Sequence, residues 1–268
     1  MIKNLIQRTL TGFLFVTVVL LSIYFQKEYY TFSLLFFILT GIGLYEFYRM
    51  INLYEEVKLS YPVLIIAGLV LYTCCFLLSA GLTSYKILFV YALFLVALVI
   101  GGLYTKEKKP IHNVAFAFLG QVMIAFPFGI LNAIAFEEIH WLFALFILIW
   151  VYDSGAYLFG VKFGKHHLCE RISPKKTWEG FIGGFIAALL ASLIFAHFTP
   201  EIAVWKWLLF ATFVVVFGTW GDLSESLLKR SVNVKDSGKL LPGHGGILDR
   251  FDSCLLLVPI IYFYLQII

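Results

Sequence analysis

The sequence predicts an all-α, polytopic integral membrane protein of about nine transmembrane helices. Three observations lead there. The 268 residues are 61% hydrophobic and only 13% charged, whereas soluble domains are about a quarter charged and about half apolar. The apolar residues fall into nine runs, each near the roughly 20 residues that cross a bilayer core. The 20 Lys and Arg residues collect on alternate connections between those runs, the bias that orients membrane helices.

The first run, 9–25, follows MIKNLIQR, where Lys3 and Arg8 form an inside anchor. No small-residue cleavage site follows it and similar runs continue down the chain, so it is expected to remain as a span. Runs two to five cover 31–47, 60–80, 84–103 and 113–135, completing an N-terminal region, 1–140, marked by hydropathy alone. Runs six to nine cover 141–160, 178–197, 203–221 and 251–268, in a region, 141–268, that also carries the polar motifs.

With the N-terminus inside, every Lys and Arg except Lys27, Lys86 and Lys206 falls on the inside. The alternation supports an odd number of spans and puts the C-terminus outside. The two long polar connections, 161–177 and 222–250, both lie on the cytoplasmic side. Neither is long enough to bury a core of its own, so one helical membrane domain is expected over 1–268.

Net charge is only +4, and its scatter among apolar runs excludes a nucleic-acid-binding face. Cys74, Cys75, Cys169 and Cys254 have neither zinc-site nor disulfide spacing and read as small buried hydrophobes. Trp141, Trp178, Trp205, Trp207 and Trp220 fall near span ends, where belt anchoring is expected.

The acidic residues carry the chemistry. All five Asp lie in the C-terminal half, at cytoplasmic span ends or loops: Asp153, Asp222, Asp236, Asp249 and Asp252. The Glu residues of the N-terminal half mostly sit at span ends and read as solvated. Asp222 ends span eight; Asp249 and Asp252 open span nine, where their spacing puts them on one helix face a turn apart. A helix cap accounts for one such carboxylate and poorly for two. Carboxylates near apolar surroundings are costly unless paired or metal-bound. Mg2+ takes oxygen ligands and often uses one or two carboxylates plus substrate phosphates. Two such carboxylates beside a membrane therefore suit a bound metal.

The loop between them holds Lys229, Arg230, Lys235 and Lys239, then His244, Gly245 and Gly246. Basic side chains, open glycine amides and the N–H groups at a helix start are the parts of a phosphate site. A phosphate oxygen is already ionised as a nucleophile, so His244 reads as orienting phosphate and not as a base. The other loop offers Asp153, Ser173 and the adjacent cations Lys175 and Lys176, which suit a polyphosphate. Thr177 or Ser173 would cap span seven. His166, His167 and Cys169 do not make a metal set.

Residues 226–252, SLLKRSVNVKDSGKLLPGHGGILDRFD, resemble the signature of the phosphatidate cytidylyltransferases, or CDP-diacylglycerol synthases. GDLSES at 221–226, SPKKTWEG at 173–180 and DSGAYLFG at 153–160 are similar to that family too. The resemblance implies transfer of the cytidylyl group of CTP to phosphatidic acid with Mg2+ held by Asp222 and Asp249, with Asp252 the third candidate ligand, a second ion such as K+, and a homodimer. Residue by residue it implies catalytic roles for Asp222, Asp249, Asp252, Lys229, Arg230 and His244. It implies substrate contacts from Asp153, Ser173, Lys175, Lys176, Ser226, Lys235, Asp236, Lys239, Gly245, Gly246 and Arg250. The compact form resembles bacterial members, hence a plasma (inner) membrane location.

The nearest alternative is a related CDP-lipid synthase or polyprenol kinase with another lipid acceptor. A transporter would place ionisable residues at the midplane of several spans, and the first five runs have almost none there. A scaffold for anionic lipid would need loose basic clusters only, not His, Gly and Asp at set positions.

Overall fold

The computed structural model describes residues 2–54, 57–107, 109–238, 240 and 245–268, with side chains described from Leu10 onward. The chain is helical nearly throughout. The helices are α1 (Ile2–Tyr24), α2 (Gln26–Tyr29), α3 (Thr31–Ile51), α4 (Tyr61–Ser79), α5 (Leu88–Tyr104), α6 (Pro110–Gly120), α7 (Phe126–Glu137), α8 (Ile139–Phe163), α9 (Trp178–Phe198), α10 (Val204–Ser231), α11 (Leu248–Phe251) and α12 (Cys254–Leu265). A 3-10 turn, Tyr85–Ile87, leads into α5, and a π turn, Gln121–Ala125, joins α6 to α7.

Among the described residues, seven helical stretches are long and apolar enough to cross a membrane. They coincide with expected spans two to eight, and the protein is a multi-pass all-α membrane protein. For the first expected span, the apolar stretch of α1 is Leu10–Tyr24. For the ninth, α12 is only 12 residues long.

The chain forms two compact units: Met1–Ile139 with Ser231–Phe251, and His140–Arg230 with Asp252–Ile268. The loop after α10 thus belongs with the N-terminal helices.

In the first unit, the break between α2 and α3 comes at Tyr30, with φ +53°. Gln26 closes it by accepting from the Ser33 amide (3.1 Å) and donating to the Ser33 hydroxyl (2.8 Å). Asn52 likewise spans the next connection, accepting from the Leu59 amide (2.8 Å) and donating to its carbonyl (3.1 Å). Pro127 lacks the N–H an α-helix would use, and the π turn just before it absorbs the mismatch. Gln121 in that turn is buried and donates to the Tyr48 hydroxyl (2.8 Å) and the Leu64 carbonyl (2.9 Å). Phe36, Phe128 and Phe251 meet edge to face, with centroids 5.2–5.5 Å apart. They hold the end of the 231–251 segment against α3 and α7.

In the second unit, glycines bring α8 and α9 together. A Cβ on Gly184 would lie 2.7 Å from the Tyr152 carbonyl, and one on Gly180 2.7 Å from that of Ala156. Close backbone approach is the usual adhesive between spans, where no hydrophobic force separates helix from lipid. Trp141 and Trp207 do not act as belt anchors: both are buried, with rings 4.1 Å apart beside Phe210. Trp178, Trp205 and Trp220 are exposed as expected.

Three local expectations change. The 161–177 connection contains a small antiparallel hairpin, β1 (His167–Cys169) with β2 (Ser173–Thr177). Residues 222–231 are not loop, because α10 continues to Ser231 with Glu225 and Lys229 paired one turn apart. Asp249 and Asp252 do not share one helix. The Asp252 carboxylate takes the Ser253 amide at 2.7 Å, a local bond that competes with the helical one, and a turn separates α11 from α12. Asp252 thus precedes α12.

Candidate active site

The second unit assembles one set of the expected residues. At the hairpin, Thr177 caps α9 by accepting from the Gly180 amide (3.1 Å). Glu179, in the first turn of α9, accepts from the amides of Lys165 (3.0 Å) and His166 (3.2 Å) and pairs with the His166 ring (2.6 Å). These bonds fasten β2, with Ser173, Lys175 and Lys176, to the start of the span. His166 therefore serves the hairpin.

Behind the hairpin is a cavity of about 290 Å3, lined by Asp153 and Tyr157 of α8 and by Ser173, Lys175, Lys176 and Thr177. The sequence groups these residues only as a loop and a distant Asp; folding places them around one space. Its acidic and basic walls suit a charged ligand with a bound cation. Tyr152, at the same cavity, meets the Thr219 hydroxyl at 2.6 Å and so links α8 to α10 just before Asp222.

On α10, Asp222 lies 2.5 Å from the Lys176 ammonium, and Ser226 donates to its other oxygen at 3.3 Å. Lys229 is buried against Glu225, itself fully buried. Arg230 is exposed, and its Nε donates to the Ile172 carbonyl at 3.4 Å, tying the end of α10 to the hairpin. Gly221 lets the turn after α11 come close: a Cβ there would lie 2.7 Å from the Asp252 carbonyl oxygen. Asp252 consequently feels the repulsion of Asp222, Glu225 and Asp153, with Lys229 the compensating charge.

Those carboxylates provide a chemical fit for a hard cation, which would relieve their repulsion. Among the described residues, no three His, Cys, Asp or Glu converge on one metal position.

The first unit holds the other set. Asp249 accepts from the Ser237 amide through both oxygens (3.0 and 3.2 Å) and from the Gly246 amide (2.8 Å). Gly245 has φ +84°, and a Cβ there would lie 2.5 Å from an Asp249 oxygen, so the position needs glycine on both counts. Lys235, Asp236 and Arg250 are exposed. The amide of Gly246, expected to face a phosphate, donates within the chain instead. His244 and Lys239 lie outside the described residues.

Two residues escaped the sequence reading. Glu46 of α3 is 4% exposed and accepts three bonds from the 231–251 segment. Hydropathy makes it a solvated span end because the apolar run stops at 47, yet α3 continues to Ile51. A carboxylate inside a span is itself a functional signal. Glu225 was visible only as part of GDLSES; its burial opposite Lys229 emerges with the longer α10.

Comparison with known proteins supplies the family. A phosphatidate cytidylyltransferase of Staphylococcus saprophyticus is 41% identical over 158 residues, covering 59% of this chain and 61% of that protein. One from Haemophilus influenzae is 42% identical over 171 residues, covering 59% of each. The similarity thus spans about 60% of those relatives' own length. The model of the cytidylyltransferase family matches residues 6–268, nearly the whole length, and the chain belongs to that family.

Proposed function

We propose that the protein transfers the cytidylyl group of CTP to phosphatidic acid, giving CDP-diacylglycerol and pyrophosphate. The observation that carries this reading is the cavity lined by Asp153, Ser173, Lys175 and Lys176, with Asp222 paired to Lys176 beside it. Family membership supports the same chemistry.

A phosphatidate oxygen attacks the α-phosphorus of CTP; the bond to the bridging oxygen of the β-phosphate breaks and pyrophosphate leaves. Lys175 and Lys176 bind phosphate and offset its charge, and Ser173 and Asp153 orient the nucleotide within the cavity. Lys229, Arg230, Lys239 and His244 serve phosphate or headgroup binding. Ser226, Lys235, Asp236, Gly245, Gly246 and Arg250 shape the substrate contacts, the two glycines by setting the backbone around Asp249. Asp222, Asp249 and Asp252 would hold Mg2+, which when bound neutralises the triphosphate and stabilises charge developing at phosphorus. K+ is our candidate for a second ion, and a homodimer our candidate assembly.

Nine spans, with the N-terminus and site cytoplasmic and the C-terminus outside, let a bilayer-held lipid meet a soluble nucleotide without moving either across a plasma membrane. Reporter fusions after Ile268 test that orientation.

Detergent-purified protein given CTP, phosphatidic acid and Mg2+ is expected to release pyrophosphate, with UTP, ATP and GTP inactive. Release with a polyprenol acceptor and none with phosphatidic acid would replace this reading with a related lipid enzyme.

A further inference from the structure

The Gly246, Ile247 and Leu248 amides are consecutive, and all three end on carboxylates. Gly246 donates to Asp249 (2.8 Å), Ile247 to one Glu46 oxygen (3.1 Å) and Leu248 to the other (2.9 Å). Ser237 joins the two acids: its amide donates to Asp249 and its hydroxyl donates to Glu46 at 3.1 Å. Gly238 and Gly246 have no Cβ because the Glu46 carboxylate occupies that space. Glu46, Ser237, Gly246 and Leu248 are all buried or nearly so.

A buried carboxylate costs several kcal/mol of lost hydration, so a loop that merely needed tethering would be held more cheaply by a neutral group. What Glu supplies that Gln cannot is two equivalent acceptors. A Gln at 46 has one acceptor oxygen and would turn its NH2 toward either Ile247 or Leu248, donor against donor.

We propose that Glu46 is a positioning residue for the reaction assigned above, on which this inference rests. Acting through Ser237 and the Gly246–Leu248 strip, it sets the direction in which Asp249 presents its carboxylate. Helix α3, in the region 1–140 that hydropathy alone marks, thereby controls a residue of the catalytic signature.

The test compares wild type with Glu46→Gln and Ser237→Ala, each checked for monodispersity and melting temperature. Three readouts are taken: hydrogen exchange of the 237–249 peptide, Mn2+ affinity by electron paramagnetic resonance, and pyrophosphate release. In Glu46→Gln, exchange is expected to accelerate in that peptide, and Mn2+ affinity and kcat to fall roughly 10–100-fold, the usual effect of disturbing residues behind a metal ligand. KM for phosphatidic acid is expected to stay within about twofold, since lipid binding is not altered. Ser237→Ala, which keeps the amide bond to Asp249, is expected to fall between.

Accelerated exchange with Mn2+ affinity and kcat unchanged overturns the proposal; so does unchanged exchange. If Glu46→Gln does not fold, Ser237→Ala decides, and wild-type Mn2+ binding and kcat there overturn it. A wild type that binds Mn2+ but releases no pyrophosphate overturns the cytidylyl-transfer reading alone, because exchange and Mn2+ affinity still judge Glu46. A wild type that binds no Mn2+ overturns both the metal assignment and the positioning role.

Discussion

The Lys176 ammonium lies 2.5 Å from an Asp222 carboxylate oxygen, and each side chain is about a quarter exposed. The contact joins the hairpin strand to α10 and sets a cation between the cavity and the acidic residues. Lys176→Met is expected to raise KM for CTP about 10–100-fold, the size of one charge-assisted hydrogen bond to phosphate, with KM for phosphatidic acid little changed. Steady-state kinetics with each substrate varied checks it; equal effects on both KM values would remove the nucleotide assignment.

Lys229 and Glu225 form a buried pair one helical turn apart. Lys229→Met leaves the Glu225 charge without its main counter-ion, and about 3–5 kcal/mol of stability is expected to go with it. The double variant Glu225→Gln/Lys229→Met is expected to regain most of that stability and little activity. Denaturation in detergent alongside pyrophosphate release separates the two effects. Restored activity in the double variant would make Lys229 purely structural.

Asp252 sits among the like charges of Asp222, Glu225 and Asp153. Asp252→Asn is expected to stabilise the metal-free protein by roughly 1–4 kcal/mol, the range of one like-charge contact between bulk water and a moderate dielectric. It is also expected to abolish the rise in melting temperature produced by Mg2+ and to stop turnover. EDTA should lower the wild-type melting temperature and leave the variant unmoved. A full Mg2+ shift in Asp252→Asn would take this residue out of the ligand set.

Gly221 faces the backbone at Asp252, whose carbonyl a Cβ would approach to 2.7 Å. Gly221→Ala is expected to cost about 1–3 kcal/mol through forced backbone movement and to lower kcat with it. Gly101→Ala is the control, since nothing lies within 4 Å of a Cβ there. Equal melting temperatures for the two variants would show that the turn yields without penalty.

Hydropathy located the spans because a run such as Tyr61–Ser79 is apolar on every side, and lipid demands no finer pattern. It lost the last part of α10 for the opposite reason. Five of the eight residues of LSESLLKR are polar or charged, so an apolar count stops at Gly221 although the helix continues to Ser231. The Thr177 cap was legible as a local preference. The cavity joining Asp153 to Lys175 and Lys176 was not, since it depends on the approach of α8 and α9 and no spacing encodes that. Glu46 was hidden by where the hydrophobic run was cut, and the break at Asp252 by a side-chain bond with no hydropathy signature.

The ties between Glu46 and residues 237–248 also impose an order of events during synthesis. At about 5–20 residues per second, Glu46 leaves the ribosome on the order of 10–40 s before Ile247 and Leu248 exist. For that interval the α3 span enters the bilayer with an acid whose eventual donors have not been made. The nascent chain must keep that acid at the water interface until the later spans have been inserted. The N-terminal bundle is therefore threaded before the segment that completes it, and a chain stalled before Ser237 carries Glu46 without the donors it has in the folded protein.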